Sequence, residues 1–183
     1  MSAAEELFDV VDEHDRVIDV KPRSEVHRLK LRHRAVHIFL FRSDGRMLIH
    51  LRSANKEEFP SVWTSSASGH VSSGEEYEVS AVRELEEELG INVPLRYLAD
   101  FTACPDTSNE FTQLFLATSD DPVVADPHEI VETNWLLPAE ILERLRTSPK
   151  LFSPAFRLLF RSVLKLLPGH SSLGRTRRSG PNP

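Results

Sequence analysis

The chain is short of the residues that staple small domains or build metal knuckles. It has one cysteine, Cys104, in 183 residues. One thiol forms no internal disulfide and excludes a cysteine-rich zinc module; alone it reads as a small buried apolar side chain. Long apolar runs are missing too. The best is Ile38–Phe41, far below the roughly 20 residues that span a bilayer. The first ten residues are acidic, with no basic stretch followed by an apolar one, so no secretory signal is expected and the cytoplasm is the expected compartment.

Positive charge is also in deficit. Lysine and arginine number 22 against 28 acids, a net of −6. Three of the arginines (Arg175, Arg177, Arg178) fall in the tail 168–183, which has no acid, so residues 1–167 carry −9. An acidic body does not suit a binder of nucleic-acid backbone, and it favours small anionic substrates over polyanions. What is present is ordinary for a globular protein: 40% hydrophobic and 27% charged residues, enough for one domain with a real core.

Patterning predicts the elements. Leu7–Val11 and Arg16–Val20 flank an acidic turn and read as a hairpin within residues 5–21. Ser24–Leu31 follows Pro22 as a short helix. Ala35–Arg42 and Met47–Arg52, joined by Ser43-Asp44-Gly45, read as a second hairpin. A serine-rich irregular stretch starts at Phe59. The pattern is helical from Glu75 to Leu89 and stops at Gly90. Leu95–Thr102, Phe111–Thr118 and Ile130–Leu136 read as strands, and Pro138 and Ser153-Pro154 open two helices that end at Leu167. The tail 168–183 has no apolar periodicity and is expected to be disordered. This order predicts an α+β fold, a mixed sheet flanked by helices, in one domain over 1–167.

The segment Glu75–Glu88 holds seven glutamates and one arginine. At about 100° per residue, Glu84, Glu87 and Glu88 fall within one arc, beside an apolar face of Val82, Leu85 and Leu89. Like charges at i,i+4 cost a helix a few tenths of a kcal/mol, so a solvated face gains nothing from this clustering. A hard divalent cation that shares carboxylates with substrate phosphates supplies a reason. Arg83 can hold a carboxylate through a bidentate pair. Gly69 and Gly74 bracket a loop ahead of the helix that can aim carbonyls at a cation or amides at a phosphate.

Gly69, Glu75, Arg83-Glu84-Leu85, Glu87-Glu88 and Gly90-Ile91 occupy all nine defined positions of a 23-residue loop-helix-loop signature, the Nudix box. On these residues the chain resembles the Nudix hydrolase superfamily. The resemblance implies an α/β/α sandwich and hydrolysis of a nucleoside diphosphate derivative or similar small organic diphosphate. It implies Mg2+ or Mn2+ as cofactor, with Glu84, Glu87 and Glu88 as ligands beside the Gly69 carbonyl, and Arg83 with Glu75 as a structural pair. Glu84, Glu87, Glu110 and Glu129 are the expected catalytic residues, and the general base is left open among Glu84, Glu110, Glu129 and Glu132.

A narrower resemblance competes. Leu31-Arg32-His33-Arg34-Ala35 and Phe59-Pro60-Ser61-Val62-Trp63 through Gly69-His70 are similar to type I isopentenyl-diphosphate isomerases, which share the fold. That likeness implies histidine and glutamate metal ligands, which His33, His70 and Glu110 match and near which His27 falls. It also implies a cysteine directly before Gly69, where this chain has Ser68. A hydroxyl is a poor proton carrier for allylic isomerisation beside a thiol, and those isomerases usually carry a degraded box while this one is complete, so hydrolysis is favoured. A non-catalytic nucleotide-binding module is the third reading, and its mark, loss of box carboxylates, is absent. Trp63 either lines the pocket or packs in the core. The apolar face Phe152, Phe156, Leu159, Phe160, Val163 and Leu167 reads as core, with a homodimer contact as the alternative. The expected partner is a small diphosphate, with no membrane and no nucleic acid.

Overall fold

The computed structural model describes residues 6–168; the expected disordered tail lies outside them from residue 169 on. Strands β1 (Leu7–Val11) and β2 (Val17–Pro22) form a separate antiparallel ribbon, followed by α1 (Arg23–Leu29). The main sheet is mixed and has seven strands: β3 (His33–Phe41), β4 (Met47–Arg52), β5 (Trp63–Thr64), β6 (Ala67–His70), β7 (Arg96–Phe101), β8 (Glu110–Thr118) and β9 (Ile130–Leu136). Its helices are α2 (Tyr77–Leu89), α3 (Pro138–Thr147) and α4 (Pro154–Val163).

Side-chain alternation on β3 divides the interior. Val36, Ile38 and Leu40 pack with Leu48 of β4 and with Ala81, Leu85 and Leu89 of α2. Phe39 and Phe41 face the other way, with Leu114 and Leu116 of β8, onto α3 and α4. A strand of a sheet covered on both faces must be apolar at successive positions, and β3 is. On α4, Phe156, Leu159, Phe160 and Val163 are all buried in this second core, so the face left open to a dimer contact is used within the chain.

One irregularity makes the site. β3 and β4 meet only at Phe41↔Met47 and then splay apart. In the gap, β6 pairs with β3 (Ala35↔His70, His37↔Ser68), while β5 and β9 pair with β4. β3 continues in parallel with β8 along its whole length, from His33↔Glu110 to Phe41↔Thr118. The hairpin expected from 35–52 is therefore closed only at its turn. The serine-rich stretch expected to be irregular supplies two short strands, too brief to show period-2 alternation.

Helix α2 begins at Tyr77, two residues later than the pattern predicts. Residues 72–75 form a turn through Gly74 at φ +75°, and the Glu75 carboxylate accepts from the Ser72 amide (3.1 Å) and the Ser80 hydroxyl (2.6 Å). Those bonds hold Glu75 ahead of the helix, tied to the turn before it and to Ser80 within it. The helix stops at Gly90, φ +65°, as the glycine predicts.

Candidate functional site

A cavity of about 500 Å³ opens where β3 and β4 splay. Glu84, Glu87, Glu88 and Arg83 line it from α2, with Ser68, Gly69 and His70 from β6 and Glu110 from β8. Residues not singled out by sequence complete it: Arg23, His37, Arg52, Lys56 and Asp126.

On the α2 side the carboxylates crowd. A β-carbon at Gly69 would lie 2.0 Å from the Glu84 carboxyl carbon, so only glycine lets Glu84 fold against β6. Glu88 is 4% exposed and accepts from the Ser68 amide at 3.3 Å. Burial, and then the charge of Glu84, push Glu88 up to about 8. Burial raises Glu84 as well, against the pull of Arg83. Glu87 is the outermost of the three, its side chain 61% exposed.

Arg83 ties the box together. It donates to Glu75 through Nε (3.1 Å) and Nη2 (3.0 Å), to the His70 carbonyl (3.1 Å), and through Nη1 to Glu84 (2.6 Å) and Glu87 (3.2 Å). The bond to Glu75 is the chief reason the guanidinium is held above its ordinary value. Burial alone would raise Glu75, but its bonds from Arg83 and Ser80 outweigh that and lower it. One cation therefore faces the three box carboxylates while already committed to Glu75, and negative charge is left over. That surplus, converging on one spot with the Gly69 backbone, fits a hard divalent cation.

Below β6 lies a second cluster. One ring nitrogen each from His27, His33 and His70 lies within 4.8 Å of the others. His33 Nδ1 donates to the Leu31 carbonyl (2.9 Å), leaving Nε2 buried without a partner, 3.6 Å from Glu110. His27 Nδ1 faces Glu57 at 3.3 Å. Arg23 donates to His70 Nδ1 at 3.2 Å, so His70 Nε2 carries the proton that meets Glu110 at 3.2 Å. Burial pushes His70 down to about 3, so it is neutral. Burial acts to raise Glu110, and the His33 and His70 imidazoles beside it more than reverse that, keeping it ionised. An imidazole whose Nδ1 is tied to a carbonyl and whose Nε2 is buried and orphaned has the arrangement of a metal ligand, and His33 has it.

Besides Arg83, three cations reach the cavity: Arg23, Arg52 and Lys56. Arg52 donates to the carbonyls of Phe59 (3.2 Å) and Glu58 (3.0 Å), which wrap around it in a loop with left-handed backbone at Phe59 and Ser61. Burial lowers both Arg52 and Lys56 from their ordinary values. Lys56 pairs with Glu129.

The other expected residues are placed as follows. Glu110 is aimed by a turn with Ser108 and Asn109 both at positive φ. Glu129 lines the cavity, but Glu132 lies on β9 opposite Leu51 and is not part of the lining. His33 sits behind the lining, in the histidine cluster. Trp63 packs against the α3–α4 core, because β5 pairs it with Leu51 and its carbonyl accepts from the Ser153 amide at 2.9 Å. The cations went unnoticed because a lone Arg or Lys after a strand looks like any surface residue. Their signal was position, three and seven residues past Ile49, at the strand end that splays.

The comparisons with known proteins agree with this geometry. The NUDIX domain model matches residues 31–156. An isopentenyl-diphosphate Delta-isomerase of Nocardia farcinica is 35% identical over 154 residues, covering 80% of this chain and 87% of that protein. An uncharacterized Nudix hydrolase of Pseudomonas aeruginosa is 37% identical over 145 residues, covering 79% and 86%. The crystal structure of DR0079 from Deinococcus radiodurans superposes with a TM-score of 0.78 at 31% identity, over 86% of this chain and 98% of that one. The chain belongs to the Nudix superfamily, in its isopentenyl-diphosphate-isomerase-like branch.

Proposed function

We propose that this chain is a Mg2+- or Mn2+-dependent hydrolase that cleaves the diphosphate linkage of a nucleoside diphosphate derivative or similar small organic diphosphate. The observation that carries the reading is one cavity with acids on one wall and Arg52 and Lys56 on another. Carboxylates alone would repel a diphosphate. Cations alone would bind it without activating water.

Glu84, Glu87, Glu88 and the Gly69 carbonyl would hold the cation. Bound there, it would neutralise phosphate oxygens and acidify a water. Arg52 and Lys56 clamp the remaining oxygens, Arg52 in a fixed orientation because its loop already holds two of its donors. Arg23 reaches the same space from α1. The proton of the attacking water needs a carboxylate that is not committed elsewhere. Glu129 is paired with Lys56, Glu110 with two histidines, and Glu84 with Arg83 at 2.6 Å. Glu87 is the most exposed and has one longer bond, so beside the oxygen it would give the cation it keeps one free for the proton, and we assign the base to Glu87.

Isomerisation is the second reading, favoured by the histidine cluster with Glu110. Against it stands Ser68, whose hydroxyl occupies the place of the thiol. One panel decides: phosphate release from nucleoside diphosphate sugars, dinucleotides and isopentenyl diphosphate with Mg2+ or Mn2+, beside deuterium exchange into isopentenyl diphosphate. Release that disappears with EDTA and in Glu87→Gln supports the hydrolase. Exchange without release would replace it by the isomerase.

A further inference from the structure

β3 and β4 carry the two walls of the cavity separately. The acid wall goes with β3: β6 pairs with that strand, and α2 is tied to β6 by the bonds from the Ser68 amide to Glu88 and from Arg83 to the His70 carbonyl. The cation wall goes with β4, which ends at Arg52 and runs on into Lys56. The span between acids and cations is therefore set where the two strands part. There the chain crosses from β5, paired with β4, to β6, paired with β3, through Ser65 and Ser66, both 0% exposed. The hydrolytic reading gives these two buried serines no role.

Ser66 is the informative one. At the closed end of β3 and β4 the Arg42 amide donates to the Arg46 carbonyl at 2.8 Å, and Phe41 faces Met47. The next rung of that antiparallel ladder would run from the Leu40 amide to the Leu48 carbonyl. Instead the Leu40 amide donates to the Ser66 hydroxyl at 2.7 Å, and the hydroxyl donates to the Leu48 carbonyl at 2.6 Å. One side-chain oxygen stands inside the ladder, at the point where the strands separate. The backbone of Ser66 pins it there. Its amide donates to the Ile38 carbonyl of β3 (3.0 Å), and its carbonyl accepts from His50 Nδ1 of β4 (3.0 Å). Every polar group of Ser66 is thus engaged with β3 or β4. Ser65 differs, since its hydroxyl bonds His37 of β3 (2.6 Å) and does not reach β4.

We propose that Ser66 is a positioning residue whose hydroxyl is the wedge that fixes the separation of β3 and β4, and with it the span between the box carboxylates and the Arg52–Lys56 pair. What the span is for rests on the hydrolase reading. A buried amide and a buried carbonyl that face one another without a partner are costly, so they close on each other when nothing stands between them. Without the oxygen, two bonds in series become one of about 2.9 Å, and β4 moves toward β3. A diphosphate held by a cation on one wall and by guanidinium and ammonium groups on the other tolerates little change of span, because hydrogen bonds weaken steeply with distance and angle.

The test pairs a crystal structure with two titrations. Ser66→Ala removes the oxygen alone, and its structure should show the Leu40 amide on the Leu48 carbonyl at about 2.9 Å. Mn2+ alone should bind the variant within about twofold of wild type, since the acid wall moves as one piece with β3. Methylenediphosphonate, added with Mn2+ as a diphosphate that water does not cleave, should bind about tenfold weaker or more. Ser66→Thr keeps the oxygen and should recover most of that affinity. Ser65→Ala deletes an equally buried hydroxyl from the same crossing. It should lower the melting temperature about as much and leave diphosphonate binding within about twofold. Should Ser66→Ala fail to fold, Ser66→Cys takes its place: a thiol is a larger group and a weak donor and acceptor, so the span opens and diphosphonate binding falls with Mn2+ binding unchanged. A Leu40–Leu48 separation that stays open in Ser66→Ala, with water in the hydroxyl's place, overturns the proposal. So do equal losses of diphosphonate binding in Ser65→Ala and Ser66→Ala, or full binding in Ser66→Cys. A rung that closes in Ser66→Ala, beside a wild type that binds Mn2+ but no diphosphonate, would overturn the hydrolase reading and leave the wedge standing.

Discussion

Above β6 the cavity sets Glu84, Glu87 and Glu88 against one arginine; below it, His27, His33 and His70 surround one ionised glutamate. The two clusters differ in how they bear burial. The carboxylates are forced together, and Glu88 is pushed up to about 8 because burial and the charge of Glu84 outweigh the pull of Lys56 and Arg52. On the other side burial holds His70 neutral, and Glu110 stays ionised beside it. One side holds more negative charge than its cations offset, while the other leaves only His33 Nε2 without a partner. Function tends to reside where such strain is maintained.

The largest effects should separate the two sides. Glu87→Gln keeps the shape of the box and removes a proton acceptor, so kcat should fall by roughly 10²–10⁴-fold. Glu110→Gln on the histidine side should cost far less turnover, and instead destabilise the protein, because His33 and His70 would lose their shared carboxylate. Steady-state kinetics with a melting curve for each variant checks this. Equal losses of turnover would erase the functional distinction between the sides.

Next comes Gly69→Ala. The added β-carbon meets the tip of a flexible side chain rather than backbone, so the fold survives and Glu84 swings away. Metal affinity should weaken by about tenfold or more, while the melting temperature with EDTA changes little. A large loss of stability instead would show that β6 itself, not Glu84, gives way.

How much of this was legible differs between the sides in the same way. The box is one continuous segment. Its spacing alone gathers Glu84, Glu87 and Glu88 on one helical arc and sets Arg83 against Glu75, because a helix converts sequence distance into geometry at a fixed rate. The other wall is built from His37, Thr64, Glu110 and Ala155, which lie on four elements brought together by the β3–β8 parallel pairing and by the Trp63–Phe152 bridge. No local period announces such contacts. β5 and β6 are two and four residues long, too short to show a strand pattern. The sandwich itself was readable, since α2, α3, α4 and the long strands each carry a clear hydrophobic face.

A third prediction uses pH on the metal-free protein. Glu88 has a folded value near 8 against an ordinary 4.5, so the unfolded chain releases this proton first. Its contribution to stability is complete below 4.5 and is lost as pH rises toward 8. His37, His50 and His70 have folded values of about 4, 3 and 3 against 6.5, so they destabilise the fold in the opposite direction, as pH falls below 6.5. Stability in EDTA should therefore peak between these limits. Glu88→Gln should flatten the alkaline limb alone, and Mg2+ should do the same if it binds the ionised carboxylates. Melting temperatures from pH 4 to 9 read both limbs. An alkaline limb unchanged in Glu88→Gln would place the strain elsewhere.

The smallest effect on hydrolysis is expected from Ser68→Cys, and it sharpens the comparison most. Residue 68 sits between the sides: its amide bonds Glu88 above, and its side chain faces the histidine side below, opposite His37. Sulfur is slightly larger than oxygen and the residue is only partly buried, so the fold should tolerate it. Because the box carboxylates, Arg52 and Lys56 are untouched, phosphate release should change by less than about tenfold. A thiol in the cavity that Glu110 also lines is, however, a better proton carrier than a hydroxyl. If deuterium exchange into isopentenyl diphosphate appears in the variant, one atom is what divides hydrolase from isomerase in this cavity. If exchange stays absent with the thiol in place, the division lies in the walls below Ser68, where His37 and the start of α4 shape the space a substrate must fill.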